Sequence, residues 1–144
     1  MLYYLPLESY AERYTCQLSA PLWGWNERNW LKHKVQYTRI DGDVGNRKAN
    51  NAISEGVAVD PFIRSRVGFE QVLQLLDLVR RKVITDKDVI YLDDFWTPGI
   101  EMLPYAFDLY DVHPKVYGFW HAQSADEYDF TYKMKRWIRH YEKG

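Results

Sequence analysis

Residues 88–101, DVIYLDDFWTPGIE, restrict what this chain can become more than any other stretch. Val89, Ile90, Tyr91 and Leu92 form a short apolar run of β-favouring side chains. The run ends at two carboxylates, Asp93 and Asp94. Phe95 and Trp96 follow, then a Thr97-Pro98-Gly99 break and the start of a helical pattern at Ile100 and Glu101. In open α/β sheets, ligands bind in the crevice beyond the carboxyl ends of the strands. Acidic and aromatic side chains at such an end are placed to hold a polar, ring-shaped ligand. A structural reading competes with this one: Asp93 can cap the following turn, and Trp96 can be a core aromatic.

The remaining segments fall around this one. Residues 2–5 are apolar, are stopped by Pro6, and read as a buried first strand. Residues 7–22 read as a long link, with Glu8, Arg13 and Tyr14 just past the strand end, where binding loops sit. In residues 23–34, Trp23, Trp30 and Leu31 share one helical face. Residues 35–40, VQYTRI, alternate as a second strand and lead to Asp41-Gly42-Asp43, a turn with carboxylates at its tip. Residues 46–55 read as loop or weak helix, and residues 56–59 as a short third strand closed by Asp60-Pro61. From Ser65 or Arg66 a helix begins whose core face is read as Phe69, Val72, Leu73, Leu76, Val79 and Val83. The opening stretch is the fourth strand. Thr97 is the expected N-cap of the next helix, with Pro98 at its first position, and Pro104 either kinks that helix or delays its start. Residues 116–120 are the fifth strand, ending at His121-Ala122-Gln123-Ser124. Residues 126–143 read as an amphipathic helix with Phe130, Met134, Trp137, Ile138 and Tyr141 on one face. Strands alternating with helices predict a single α/β domain over residues 1–144: three layers around a mostly parallel, Rossmann-like sheet of about five strands.

Composition narrows the function classes. The chain has 144 residues, enough for one domain with a real core, and 47% of them are hydrophobic. Aromatic residues make up 17%, with 6 Trp and 12 Tyr. Such a surplus serves a sugar, nucleoside or protein surface, or else an aromatic-rich core. A formal net charge of −1 gives no bulk attraction to nucleic acid or acidic membrane. The single cysteine, Cys16, allows no internal disulfide, fits a reducing cytosol, and reads as a buried thiol. Neither a signal peptide nor a membrane span is expected, so the expected location is cytoplasmic.

Phosphate-binding glycine motifs are missing: there is no GxGxxG and no GxxxxGK[ST], and no cofactor is expected. His33, His113, His121 and His140 are scattered, with no close His or Cys pair of zinc-ligand spacing. Asp93 and Asp94, adjacent on a strand, point to opposite faces and make a poor metal pair. His121, at the end of the fifth strand, shares the sheet edge with Asp94 and Glu8. It reads either as a ligand-binding base or as a structural histidine tied to a loop carbonyl. Glu101 either offsets the helix dipole or contacts a ligand. The basic clusters Arg80-Arg81-Lys82 and Lys133-Lys135-Arg136-Arg139 are solvated faces by default. The second is interleaved with Tyr132, Trp137 and Tyr141, which leaves a nucleic-acid surface open.

Three segments, YYLPLESYAERYT at 3–15, DVIYLDDFWTPGIEMLPYAFD at 88–108 and VYGFWHAQSADEYDF at 116–130, resemble bacteriophage-type GT-B glycosyltransferases. The resemblance runs over nearly the whole chain and fits the first part of the N-terminal Rossmann-like domain. It implies a cleft lined by Glu8, Asp94, Trp96, Glu101 and His121, with Asp94, His121 or Glu101 as the catalytic group. Arg13, Tyr14, Asp41, Asp93, Gln123 and Ser124 are the further candidates for binding substrate. The partner would be a sugar nucleotide or a glycosyl acceptor, with nucleic acid entering only as a modified-base acceptor. Turnover would need a second domain or chain. In a phage-encoded protein the location would be the host cytoplasm. A looser similarity, PGIEMLPYAFDLYDVHPKVYGFW at 98–120, is to nucleoside deoxyribosyltransferases and would make Glu101 a nucleophile. Their glycine-containing stretch after the first strand is replaced here by Leu5-Pro6-Leu7-Glu8. A third reading is a non-catalytic module whose aromatic faces dock another protein.

Overall fold

The computed structural model describes residues 1–7, 15–43, 61–121 and 124–143, with backbone alone for residues 15–19, 130, 135 and 137. The strand expected at 56–59, the loop or weak helix at 46–55, the burial of Cys16, and the candidates Glu8, Arg13, Tyr14 and Gln123 lie outside the described residues or side chains.

Four strands form one sheet: β1 (Leu2–Leu5), β2 (Tyr37–Arg39), β3 (Val89–Leu92) and β4 (Lys115–Gly118). Their order is β2-β1-β3-β4 and every pairing is parallel. The described sheet therefore has four strands rather than about five. Register is flush: Leu2 pairs with both Tyr37 and Val89, and Val89 pairs with Lys115, so the carboxyl ends of neighbouring strands finish along one rim. The helices are α1 (Thr15–Lys32), α2 (Pro61–Arg80), α3 (Met102–Tyr110) and α4 (Lys135–Lys143), the last preceded by a 3-10 turn at Phe130–Met134.

Alternation along β1 and β3 sends side chains to two different layers. Tyr3, Leu5, Ile90 and Leu92 bury into an aliphatic core with Val72, Leu75 and Val79 of α2 and Leu103, Ala106 and Phe107 of α3. Each Val, Leu, Ile or Phe side chain among them contributes about 1.5–3 kcal/mol when fully buried. Tyr4 points the other way. Its ring stacks on Trp23 of α1 at 5.3 Å and on Tyr91 at 5.9 Å, and meets Trp30 edge-on at 5.2 Å. The sheet is thus covered on both faces. The chain moves from β1 outward to β2, then crosses back over β1 to β3, so strand order reverses between β1 and β3. Such a reversal is the position at which doubly wound sheets bind ligands.

Several elements differ from the sequence reading. The link expected over 7–22 is helical from Thr15, and Pro21 sits inside α1. An internal proline removes one backbone donor, which is why it reads as a breaker. Helix α2 starts at Pro61, earlier than Ser65, and its buried face is rotated. Phe69, Leu73 and Val83 are 51%, 63% and 45% exposed. Val72 and Val79 are buried as expected, but Ile63, Arg64, Val67, Gly68, Gln71 and Leu75 complete the buried face. Polar residues join this face because strand ends present groups to satisfy: Gln71 Nε2 donates to the carbonyls of Pro6 at 2.8 Å and Ile40 at 3.1 Å. Gly68 is required where α2 crosses the rim, since a Cβ there would lie 2.6 Å from Cδ of Pro98.

Helix α3 begins at Met102, with Glu101 in the cap position and no side-chain cap bond, so Thr97 is not its N-cap. Pro104 falls in the first turn, where its missing N–H costs nothing. The tail is not one helix over 126–143. The 3-10 turn leaves Met134 45% exposed, while Ile138 and Tyr141 of α4 face inward.

Candidate functional site at the strand-order reversal

The rim beyond β3 carries the two adjacent carboxylates, and the strand alternation separates them as expected. Asp93 turns toward the aromatic layer and is only 1% exposed. The Tyr4 hydroxyl donates a short hydrogen bond to its Oδ2, and the Leu7 N–H approaches the same oxygen at 3.4 Å. Burial pushes the Asp93 carboxyl above its ordinary value, an effect only partly offset by the bonds from Tyr4 and Leu7, by His121 when its ring is protonated, and by the charge of Arg39. Burial, and then the Asp93 charge, push the Tyr4 hydroxyl far upward, so it remains a neutral donor.

Asp94 turns toward α2. Arg64 Nη2 donates to its Oδ2 at 2.6 Å, and both side chains are nearly buried. The Trp96 N–H donates to Asp94 Oδ1 at 3.0 Å, and the Thr97 hydroxyl donates to the Asp94 carbonyl at 2.7 Å. The turn after β3 is therefore capped by Asp94 rather than Asp93, through the two-residue bond that aspartates favour. Thr97 bonds back into the same turn instead of capping α3.

His121 reaches this rim from the end of β4. Its Nε2 donates to the Asp93 carbonyl at 2.5 Å. A carbonyl only accepts, so that bond requires the proton on Nε2 and leaves Nδ1 as the acceptor of the neutral ring. The ring is exposed. His121 is thus tied to a loop carbonyl and at the same time presents a basic nitrogen at the sheet edge.

An aromatic cluster closes the β3–β4 side. Trp96 stacks on Tyr141 of α4 at 4.8 Å and meets Trp120 edge-on at 5.6 Å, while Phe95 stacks on Trp120 at 5.3 Å. The Tyr141 hydroxyl donates to the Phe95 carbonyl at 3.1 Å and lies 3.4 Å from that of Thr97. Burial, and then the Glu101 charge, push that hydroxyl up to about 12. One face of Trp96 is therefore already covered. Glu101 is exposed on the loop leading into α3.

Two further candidates have partners of their own. Asp41, at the end of β2, accepts from Arg39 Nε at 2.7 and 3.0 Å, and the Arg39 guanidinium lies 4.6 Å over the Trp23 ring. Ser124 is buried, and both its N–H (2.7 Å) and its hydroxyl go to the Glu142 carboxylate, fastening α4 to the segment after β4.

The structure therefore brings Asp93, Asp94 and His121 together at one rim, with Trp96 and Glu101 on the adjoining turn. Tyr4, Arg64 and Tyr141 were not singled out as site residues from sequence. Tyr4 was within reach, because it pairs with Tyr91, two residues before Asp93 on the same face. Arg64 lies in a helical face where a charge reads as solvated, and carries no local signal. Among the described residues no group of three or more His, Cys, Asp or Glu stands ready for a metal ion, and no helix is long and apolar enough to cross a membrane. No protein-family model, curated protein or solved structure matches the chain.

Proposed function

We propose that the β1/β3 crevice recognises a sugar nucleotide or a glycosyl acceptor, and that the chain is a glycosyltransferase-like domain acting with a second domain or chain. The observation that carries this reading is the hydrogen bond from His121 Nε2 to the Asp93 carbonyl. It holds a histidine with a basic Nδ1 at the reversal of strand order, where a bound hydroxyl would lie within reach of it. In the proposed transfer the acceptor oxygen bonds to the anomeric carbon of the donor. The bond from that carbon to the nucleotide phosphate breaks, and the acceptor proton passes to His121 Nδ1. Asp94, fixed by Arg64, holds the Trp96 turn at the crevice wall.

The test is incubation with a panel of sugar nucleotides, alone and with candidate partner chains. The expected result is binding or turnover, with His121→Ala lowering turnover by about 10²–10⁴-fold while circular dichroism is unchanged. If no sugar nucleotide is bound, hydrolysed or transferred at millimolar concentration, the reading fails. A second reading is favoured by Glu101, whose carboxylate is exposed and makes no cap bond. In that reading Glu101 attacks the sugar of a deoxynucleoside. Base release abolished by Glu101→Gln would select it, and unchanged release would exclude it.

A further inference from the structure

Lys133, Met134, Arg136 and His140 line an open groove of about 580 Å³ along the 3-10 turn and α4. Residues 132–143 hold five Lys or Arg against one Glu in a chain whose net charge is −1, so the positive charge is concentrated here. The one acid, Glu142, is occupied by Ser124. Neither of the two cations lining the groove, Lys133 and Arg136, has a carboxylate partner among the described residues. The basic side chains of α2 and of the turn after it contrast with them: Arg80 and Arg81 are held by Asp77 at 2.6 and 3.3 Å, Arg66 by Asp43 at 2.6 Å, and Arg64 by Asp94. Two cations with no carboxylate partner among the described residues repel each other across one concavity, and an anion bound between them, within reach of the His140 ring, would relieve that repulsion.

The shape and surroundings of the groove choose among anions. On α4, Ile138 is buried and Tyr141 is stacked on Trp96, so neither of these side chains is available to sink into a lipid surface. Tyr128, two residues before the 3-10 turn, is 91% exposed and offers its ring for stacking. A base can use such a ring only when it is unpaired.

We propose that this groove binds the phosphodiester backbone of a single-stranded nucleic acid, with Lys133, Arg136 and His140 on phosphates and Tyr128 stacked on a base. The proposal is independent of what the β1/β3 crevice binds. It is tested by fluorescence anisotropy of a labelled oligo-dT with the full chain, titrated from about 50 to about 200 mM salt. Binding in the range of about 10⁻⁴–10⁻⁶ M is expected, with log K falling against log salt at a slope of about −1.4 for two neutralised phosphates. The triple substitution K133Q/R136Q/H140Q should weaken binding at least tenfold and flatten the slope, with circular dichroism unchanged. Tyr128→Ala should weaken it by about fivefold or more at the same slope. R80Q/R81Q, which removes charges already paired, should change nothing. No binding, a slope near zero, or an unaltered triple variant overturns the proposal. So does stronger binding to a duplex of equal length, to poly-glutamate or to anionic vesicles.

Discussion

On one face of the sheet, Ile90 and Leu92 lead up from an aliphatic core to Asp94. On the other, Tyr4 and Tyr91 lead up through stacked rings to Asp93. One residue apart in sequence, the two carboxylates are treated by different chemistry. Asp94 is an ion in a nearly buried pair with Arg64, and its remaining oxygen holds the following turn. Asp93 faces no cation at bonding distance among the described residues; it has a phenol, a backbone N–H and deep burial. The comparison shows how a parallel sheet turns a repeated residue into two roles. The Asp94 side organises the rim, and the Asp93 side keeps a carboxyl poised below it.

The largest expected effect breaks the Asp94 side. Arg64→Met leaves a buried carboxylate unpaired and should cost about 3–5 kcal/mol in urea unfolding. In a double-mutant cycle with Asp94→Asn the two losses should fall well short of additive. Full additivity would mean that the pair does not organise the rim. Next, Leu75→Ala in the aliphatic layer should cost about 2–5 kcal/mol. A loss under about 1 kcal/mol would show that layer able to collapse around the gap, contrary to its full burial.

Smaller effects are expected on the Asp93 side. Tyr4→Phe removes the hydroxyl donor from a buried carboxylate and should cost about 1–3 kcal/mol, with the Asp93 titration moved further upward. The smallest effect concerns pH. The folded Asp93 carboxyl lies above its ordinary value of 3.8, so the fold retains a proton there that the unfolded chain has released. The associated stability is present below the unfolded value and is lost as pH rises through the folded one. Asp93→Asn removes that loss. The difference in unfolding free energy between variant and parent should therefore move in the variant's favour as pH rises from about 3.8. A difference that moved the opposite way would place Asp93 among the paired carboxylates and erase the contrast with Asp94.

Much of the architecture was legible because short apolar β-favouring runs, strand alternation beyond them and breakers are local signals. Residues 2–5 and 89–92, the parallel α/β arrangement, and the opposite facing of Asp93 and Asp94 all follow from them. The α2 face was legible only at Val72 and Val79. Hydrophobicity selects Phe69 and Leu73, whereas the buried stripe runs through Arg64, Gly68 and Gln71, whose value lies in partners remote in sequence. The early start of α1 was concealed by Pro21. At the site, His121 and Asp94 were readable as strand-end residues. Ser124 was not readable as a fastening for α4, since its partner Glu142 stands 18 residues away. Tyr141 reads as part of the apolar face of an amphipathic helix, and nothing local shows that its hydroxyl reaches two carbonyl groups of the turn after β3.

The flush alternation of β3 carries an evolutionary consequence. Adding or deleting one residue between Val89 and Leu92 would exchange the two directions beyond it, sending the first aspartate toward the guanidinium and the second toward the phenol. This segment should therefore accept many changes of letter and almost no change of length.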